Sequence, residues 1–141
     1  FLITRRQVLC QQRETVELRE NIATMREKMR VQVGRIGDEY FDVKSMPGGM
    51  TDIEFITQFL VLNYAAQQPS FIEYTDNIRI LEAVGQAGVL TKQDVIALIE
   101  AYKSLRAESH RLSLAEAGSL TSKAFTTERE LVQRLWQLLI I

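Results

Sequence analysis

The chain has 141 residues, a formal net charge of −1 and a hydrophobic content of 46%. This length suits one domain with its own core, and the balanced charge gives no general reason to expect nucleic acid or an acidic membrane surface as a partner. No apolar run reaches the ~18 residues that span a bilayer. The single Cys10 has no disulfide partner, which is typical of a reducing, cytoplasmic environment. The first residue is Phe1 rather than Met, so we expect a piece of a longer polypeptide.

The first predicted element is a long amphipathic helix from about Arg5 to Arg30, followed by a break at Gly34 and Gly37. Its apolar positions recur mostly at steps of three and four residues: Val8, Thr15, Leu18, Ile22, Met25 and Met29. Basic residues crowd its last turns: Arg26, Lys28 and Arg30. They favour either a solvated face that offsets the negative helix end or a surface that meets phosphate or an acidic partner.

The next stretch combines a short extended segment, a tight turn and an apolar helix. Residues 41–44 are predicted to be extended, and Pro47-Gly48-Gly49 to form the turn. Thr51 and Glu54 match a capping box, with Asp52 complementing the helix dipole. The helix over residues 53–66 is apolar almost all round, which predicts the central element of the domain.

The polar residues of this helix leave two interpretations open. Glu54, Thr57 and Gln58 fall on one narrow stripe at about 100° per residue, and Asn63 lies on the far side. Glu54 either caps the helix and pairs with a core arginine, or the stripe and the loop face a second domain.

The remaining chain predicts three further helices and one short helical turn. Ser70 and Glu73 indicate the turn, and a helix from Asp76 to Ala87 ends at Gly88. Thr91 and Asp94 open a helix that reaches about Ala115, with an inner face of Val95, Leu98, Tyr102, Leu105 and Leu112. Thr127 and Glu130 form a capping box for the last helix. We therefore predict an all-α, up-and-down bundle of about five helices in a single domain over residues 1–141.

No self-sufficient active site is predicted from the residues. His110 is the only histidine, and we expect it in ordinary surface or boundary packing. Asp42, Asp52 and Glu54 could hold Mg²⁺ as a carboxylate cluster, but helix capping also explains two of them. No nucleophile elbow, Walker loop or dinucleotide-binding glycine pattern is present. We accordingly predict no catalytic residue and no metal site in this chain.

Several motifs resemble those in the C-terminal part of bacterial glutamine synthetase adenylyltransferase. They are MREKMR at residues 25–30, FDVK at 41–44, GGMTDIEFITQ at 48–58 and DNIRIL at 76–81. The resemblance continues through TERE at 127–130 to the region of Trp136 and covers nearly the whole chain. The FD-x-K segment followed by GG-x-x-DIEF-x-x-Q is specific, and less exact forms occur in the related PII uridylyltransferases.

The resemblance implies a helical domain that follows the adenylylating catalytic domain of a longer, bifunctional enzyme. One half of the family enzyme transfers AMP from ATP to a tyrosine of glutamine synthetase, and the other half removes it. In the family, PII protein and glutamine set the balance between the transfer and the removal of AMP. The Gly-Ser…Asp-x-Asp motif that holds Mg²⁺ lies upstream in the family and has no counterpart here, so ATP and Mg²⁺ are expected in the parent enzyme and no cofactor in this chain.

The resemblance and the apolar helix together imply an interface with the catalytic domain, close to the nucleotide. The residues expected to form this interface are Asp42, Lys44, Gly48, Gly49, Asp52 and Glu54. Lys44, a flexible point charge beside a glycine turn, is expected to approach a nucleotide phosphate. The expected partners are the upstream catalytic domain, glutamine synthetase and PII protein, with glutamine as a further candidate. The alternative is a module that binds PII or glutamine without touching the active site.

Overall fold

In a computed structural model of the chain, residues 7–8, 10, 14–33, 40–72, 76–116 and 118–141 are described. Their elements, in chain order, are α1 (Thr15–Val33), β1 (Phe41–Asp42), α2 (Met50–Tyr64), a 3₁₀ helix (Pro69–Ile72), α3 (Asn77–Ala87), α4 (Lys92–Leu114), β2 (Leu120–Thr121) and α5 (Thr126–Leu139). The predicted all-α class with about five helices is confirmed. Within these ranges, no helix has both the length and the apolar character needed to cross a bilayer.

Helix α2 is the central element, as predicted. It contacts α1, the 3₁₀ helix, α3, α4 and α5. Its inward residues are fully or nearly fully buried: Ile53, Ile56, Thr57, Phe59, Leu60 and Val61. The buried Thr57 hydroxyl donates to the Ile53 carbonyl (2.9 Å), so this polar group has a partner inside its own helix.

Helix α1 buries a different stripe from the one predicted. Leu18 and Ile22 are buried, but Met25 is 55% exposed, and the residue that continues the stripe one turn after Ile22 is Arg26, at 1% exposure. The interpretation of the basic cluster as a solvated face is therefore wrong for Arg26. An arginine at a core position needs a buried acceptor, and the structure supplies one. The predicted continuous helix from about Arg5 is wrong, because Cys10 lies in a turn, Glu14 is not helical and α1 begins at Thr15. The predicted break at Gly34 and Gly37 lies outside the described residues.

The capping box predicted at Thr51 and Glu54 is wrong. The N-cap of α2 is Gly49, and Thr51 is already the second helical residue. The first free N–H groups of the helix are satisfied by the extended segment instead: Met50 N–H donates to the Val43 carbonyl (2.8 Å) and Thr51 N–H to the Lys44 carbonyl (2.9 Å). Backbone carbonyls brought back by the turn thus replace the side-chain cap.

Helices α3 and α4 agree with their sequence signals. The Asp76 side chain caps α3 by accepting from Ile78 N–H, and Gly88 ends it in the left-handed conformation. Thr91 caps α4 by accepting from Asp94 N–H (3.1 Å). The five residues predicted for the inner face of α4 are all buried. The predicted helical turn at Ser70 is the 3₁₀ helix; Glu73 is not among the described residues.

Strand β2 was not predicted. It pairs antiparallel with β1, in the register Phe41 with Thr121 and Asp42 with Leu120. A two-residue strand leaves almost no alternating pattern in a sequence, and its pairing depends on bringing together segments some 80 residues apart. This small ladder fixes the end of the extended segment that leads into α2.

The capping box predicted at Thr127 and Glu130 is also wrong. The N-cap of α5 is Phe125, which has a φ of 48° and gives no side-chain cap. The Phe125 ring lies 6.1 Å from the ring of Phe41, tilted by 49°. This tertiary contact, rather than a local hydroxyl cap, accompanies the start of the last helix.

Candidate functional site at the glycine corner

The residues singled out by the sequence motifs lie together in one reversal of the chain, residues 41–54, which we call the glycine corner. The segment leaves β1, turns through Pro47 and the two glycines, and enters α2. Gly49 N–H donates to the Met46 carbonyl (2.9 Å) and closes the turn. The corner is therefore a hydrogen-bonded unit of the fold.

Both glycines of the corner are required by close backbone approach. Gly48 has a φ of 84°, and a Cβ there would lie 2.8 Å from Cα of Arg129 in α5. A Cβ on Gly49 would lie 2.8 Å from the Val43 carbonyl oxygen. The paired glycines thus let α5 and the extended segment pack directly against the turn.

Asp42 organises the first half of the corner. One carboxylate oxygen accepts from the N–H groups of Lys44 (2.9 Å) and Ser45 (3.2 Å), an arrangement that stabilises a turn. The other oxygen accepts from the Ser119 hydroxyl (3.0 Å), while the Ser119 carbonyl accepts from Val43 N–H (3.0 Å). The carboxylate therefore joins the corner to the segment just before β2.

Asp52 and Arg26 form a buried ion pair under the second half of the corner. Arg26 Nε donates to Asp52, and Arg26 Nη2 donates to the Ser45 carbonyl. The second oxygen of Asp52 accepts from Gly48 N–H (2.7 Å). The core arginine expected as a partner for Glu54 thus pairs with Asp52, and its charge is balanced where neither side chain reaches water.

Arg129 of α5 also holds the corner. Its guanidinium carbon lies 4.3 Å from the centroid of the Phe41 ring, a cation–π contact. Its Nε donates to the Pro47 carbonyl (3.3 Å). Two arginines from two different helices therefore clamp the carbonyls of the turn.

The outer side of the corner has a different character. Lys44 is exposed and Glu54 is half-buried. Burial raises the pKa of the Glu54 carboxyl from its usual value, opposed by the charge of Lys44 and by hydrogen bonding from the Tyr102 hydroxyl. Tyr102 also accepts from the Asn77 side chain (3.3 Å), and the guanidinium of Arg106 lies over its ring at 5.6 Å.

A second buried carboxylate, Glu108 of α4, ties β2 to the bundle. Thr121 donates its hydroxyl to Glu108, Lys123 lies 3.4 Å away, and Arg111 forms a two-point contact at 2.7 and 2.8 Å. These contacts, Arg111 first, lower the pKa of Glu108 to about 2 against the opposing effect of burial. Thr121 pairs with Phe41, the first residue of the corner, so Glu108 supports the corner indirectly through Thr121.

The corner does not present a carboxylate cluster of the kind that holds Mg²⁺. Both oxygens of Asp42 and both of Asp52 accept hydrogen bonds from the protein. Among the described residues, no group of three or more histidine, cysteine or acidic side chains is arranged to hold a metal ion. His110 is exposed on α4, consistent with surface packing.

The structure brings together all six residues that the motifs selected, but it divides them. Asp42, Gly48, Gly49 and Asp52 are engaged within the fold, whereas Lys44 and Glu54 lie toward the outer side. Sequence reasoning placed Tyr102 on the inner face of α4 but missed its hydrogen bond to Glu54, and it missed Arg129, Glu108 and the role of Arg26. For Arg26 a signal was present, because it stands at the fourth position after Ile22 on the buried stripe; for the others no local pattern distinguishes them.

The family comparison agrees with a helical domain that accompanies a nucleotidyltransferase. A family model described as GlnD PII-uridylyltransferase matches residues 23–138. The match runs from the middle of α1 through the glycine corner to the end of α5, and so includes every contact described above. The chain belongs to the GlnD PII-uridylyltransferase family, a helical family associated with nucleotidyltransferase enzymes.

Proposed function

We propose that this chain is the accessory helical domain of an enzyme that transfers AMP from ATP to a tyrosine of glutamine synthetase. The observation that carries the proposal is the glycine corner: the motifs at residues 41–44 and 48–58, which resemble those of the adenylyltransferases, meet in one hydrogen-bonded unit with Lys44 exposed. The domain supplies no nucleophile or metal ligands of its own in this account. It supports the catalytic domain, which provides the carboxylates for Mg²⁺ and ATP.

Lys44 is the residue through which the domain meets the active site. Its ammonium group is exposed, while its backbone is fixed by two hydrogen bonds, one accepted by Asp42 and one from Thr51 N–H. A flexible side chain on a fixed backbone suits contact with a nucleotide phosphate or a carboxylate of the neighbouring domain. Glu54, whose carboxyl is already partly desolvated, lies close enough to influence the same cation.

The proposal is tested by assaying AMP transfer with and without the catalytic domain. We expect the 141-residue chain alone neither to label glutamine synthetase with AMP nor to release AMP from labelled enzyme. A longer protein that includes the catalytic domain should label it in the presence of ATP and Mg²⁺. Clear adenylylation by the isolated chain would overturn the accessory role.

A second candidate function is favoured by the family match, whose description names a PII uridylyltransferase. In that case the longer protein would transfer UMP from UTP to PII protein. The same assay with UTP and PII in place of ATP and glutamine synthetase separates the two. Labelling of PII with UMP, and none of glutamine synthetase with AMP, would replace the first proposal with the second.

The remaining alternative is a module that binds PII or glutamine away from the active site. Titration of the isolated chain with each of them by calorimetry tests it. The accessory-domain proposal predicts little or no heat of binding without the neighbouring domain. Saturable binding of PII or glutamine to the isolated chain would favour the module.

A further inference from the structure

A cavity of about 550 Å³ opens on the inner side of the glycine corner, between α1 and α5. This volume lies within the range of small-molecule sites, roughly 300–1,000 Å³. Its walls come from three parts of the chain: Ala23, Arg26 and Glu27; Pro47 and Asp52; and Gln133, Arg134, Trp136, Gln137 and Ile141. It is separate from the outer side on which Lys44 lies, and nothing proposed above uses it.

Arg26, one of the wall residues, carries a buried hydrogen-bond donor without a partner. Arg26 is 1% exposed, and its Nε and Nη2 donate to Asp52 and to the Ser45 carbonyl. These two nitrogens share one edge of the planar guanidinium, so Nη1 lies on the other side of the group from Asp52. Nη1 is buried and makes no hydrogen bond. A buried N–H without an acceptor destabilises the fold, and an oxygen acceptor brought within hydrogen-bond distance of Nη1 would remove this penalty.

Other side chains of the cavity wall supply further donors. Gln133 and Gln137 stand one turn apart on α5 and carry amide N–H groups. Arg134 has five N–H donors, of which the contact with Asp94 (2.7 Å) uses one. The acceptors are poorer: both oxygens of Asp52 are engaged, and the carboxylate of Glu27 is exposed, where solvent and salt screen it.

The rest of the wall is apolar. Trp136, which is 9% exposed, and the half-buried Pro47 line the cavity with apolar surface. Ala23 adds a methyl group from α1. A ligand that matches this wall carries acceptor oxygens at one end and a short apolar body at the other. Carboxylates fit the donor end best, because charge-assisted hydrogen bonds to guanidinium are stronger than those to a neutral carbonyl.

We propose that this cavity, lined by Arg26, Gln133, Gln137 and Trp136, is a binding site for a small organic carboxylate with an apolar body. The carboxylate accepts from Arg26 Nη1 and from the α5 side chains, and the apolar body packs against Trp136 and Pro47. Because Arg26 also holds Ser45 and Asp52, occupancy is transmitted to the backbone of the glycine corner.

The test is a titration of the ¹⁵N-labelled 141-residue chain, followed by NMR, with butyrate, its neutral isostere butyramide and inorganic phosphate as probes. We expect butyrate to give saturable shifts in the Trp136 indole N–H, the side-chain amides of Gln133 and Gln137 and the backbone N–H of Gly48. Butyramide should bind about tenfold more weakly, the difference between a charged and a neutral acceptor. Phosphate, which has no apolar body, should shift these signals less.

The matched variants place new charges inside and outside the cavity. The double variant Gln133→Glu, Gln137→Glu puts two carboxylates on its wall at exposed positions that leave the fold intact, and it should weaken butyrate binding by about tenfold or more through like-charge repulsion. Gln58→Glu, exposed on α2 outside the cavity wall, should bind as the wild type does. Non-saturable shifts, equal shifts with butyramide or phosphate, or unchanged binding in the double variant would overturn the proposal.

Discussion

The two sides of the glycine corner differ in how their polar groups are satisfied. On the inner side, Asp42 and Asp52 are saturated by hydrogen bonds from the protein, and Arg26 and Arg129 hold the turn from α1 and α5. On the outer side, Lys44 is exposed and Glu54 carries a carboxyl whose pKa burial raises.

We interpret this difference as a division between residues that stabilise the fold and residues that we propose to contact another molecule. A saturated, buried group stabilises the fold, and its removal leaves a partner unpaired. An exposed or energetically unfavourable group contributes little to stability or opposes it, and such groups are typical of sites that meet another molecule. The inner side should therefore respond to substitution through stability, and the outer side through activity.

The largest loss of stability is expected from Asp52→Ala. The substitution leaves the buried Arg26 without its counter-ion and Gly48 N–H without its acceptor, which should lower the free energy of unfolding by about 3–5 kcal/mol. Urea denaturation followed by circular dichroism measures it. Glu54→Ala, two residues along the same helix, is the matched control and should change the free energy far less. Equal effects would erase the distinction between the two sides.

Gly48→Ala should cost about 1–3 kcal/mol, since it combines a left-handed backbone with a contact against α5. Gly88→Ala provides the control, because Gly88 has a similar φ of 76° but no atom within 4 Å of the added Cβ. The difference between the two melting temperatures isolates the contact with Arg129. If both variants melt together, the packing of α5 on the corner is not what requires the glycine.

Glu108→Gln should lower the free energy of unfolding by about 1–3 kcal/mol at neutral pH, because the buried ionised acceptor of Thr121, Arg111 and Lys123 is lost. The pKa of Glu108 is lowered in the folded state to about 2. Its ionised form therefore stabilises the fold above the unfolded-state pKa, near 4.5, and this contribution is lost as the pH falls toward 2. The wild type and the variant should differ at pH 7 and converge near pH 2; a pH-independent difference would contradict this assignment.

Glu54→Gln should have the opposite sign and a smaller size, a gain of about 0.5 kcal/mol or less at pH 7. The folded-state pKa of Glu54 is raised, so its ionised form opposes folding above that pKa, and the opposition vanishes below the unfolded-state value of 4.5. Denaturation at pH 7 and at pH 4 measures the difference. A destabilised variant at pH 7 would mean that Glu54 belongs with the inner side.

The helices and the central position of α2 followed from the sequence because apolar periodicity over ten or more residues is a strong local signal. The end of α3 at Gly88 and the start of α4 at Thr91 followed as well, since a left-handed glycine and a hydroxyl cap act on backbone groups a few residues away. The starts of α2 and α5 did not, because carbonyls of residues 43 and 44 and the ring of Phe41 override the local hydroxyls there.

The candidate site was located by its motif, but its division into two sides could not be read from the sequence. Arg26 and Asp52 are 26 residues apart, and Glu108 and Thr121 are 13 apart on different elements. Which acid meets which base depends on tertiary packing: one interpretation of the sequence paired a core arginine with Glu54, whereas Arg26 pairs with Asp52.

The most direct test of the account is Lys44→Ala in the enzyme that includes the catalytic domain, measured for AMP transfer and for melting temperature in parallel with Lys92→Ala, an exposed lysine at the start of α4. The account predicts that Lys44→Ala lowers the transfer rate by about 10- to 100-fold, the value of a hydrogen bond to a charged group, while both variants melt within about 1 °C of the wild type. Wild-type activity in Lys44→Ala, or a loss of stability like that of Asp52→Ala, would contradict it.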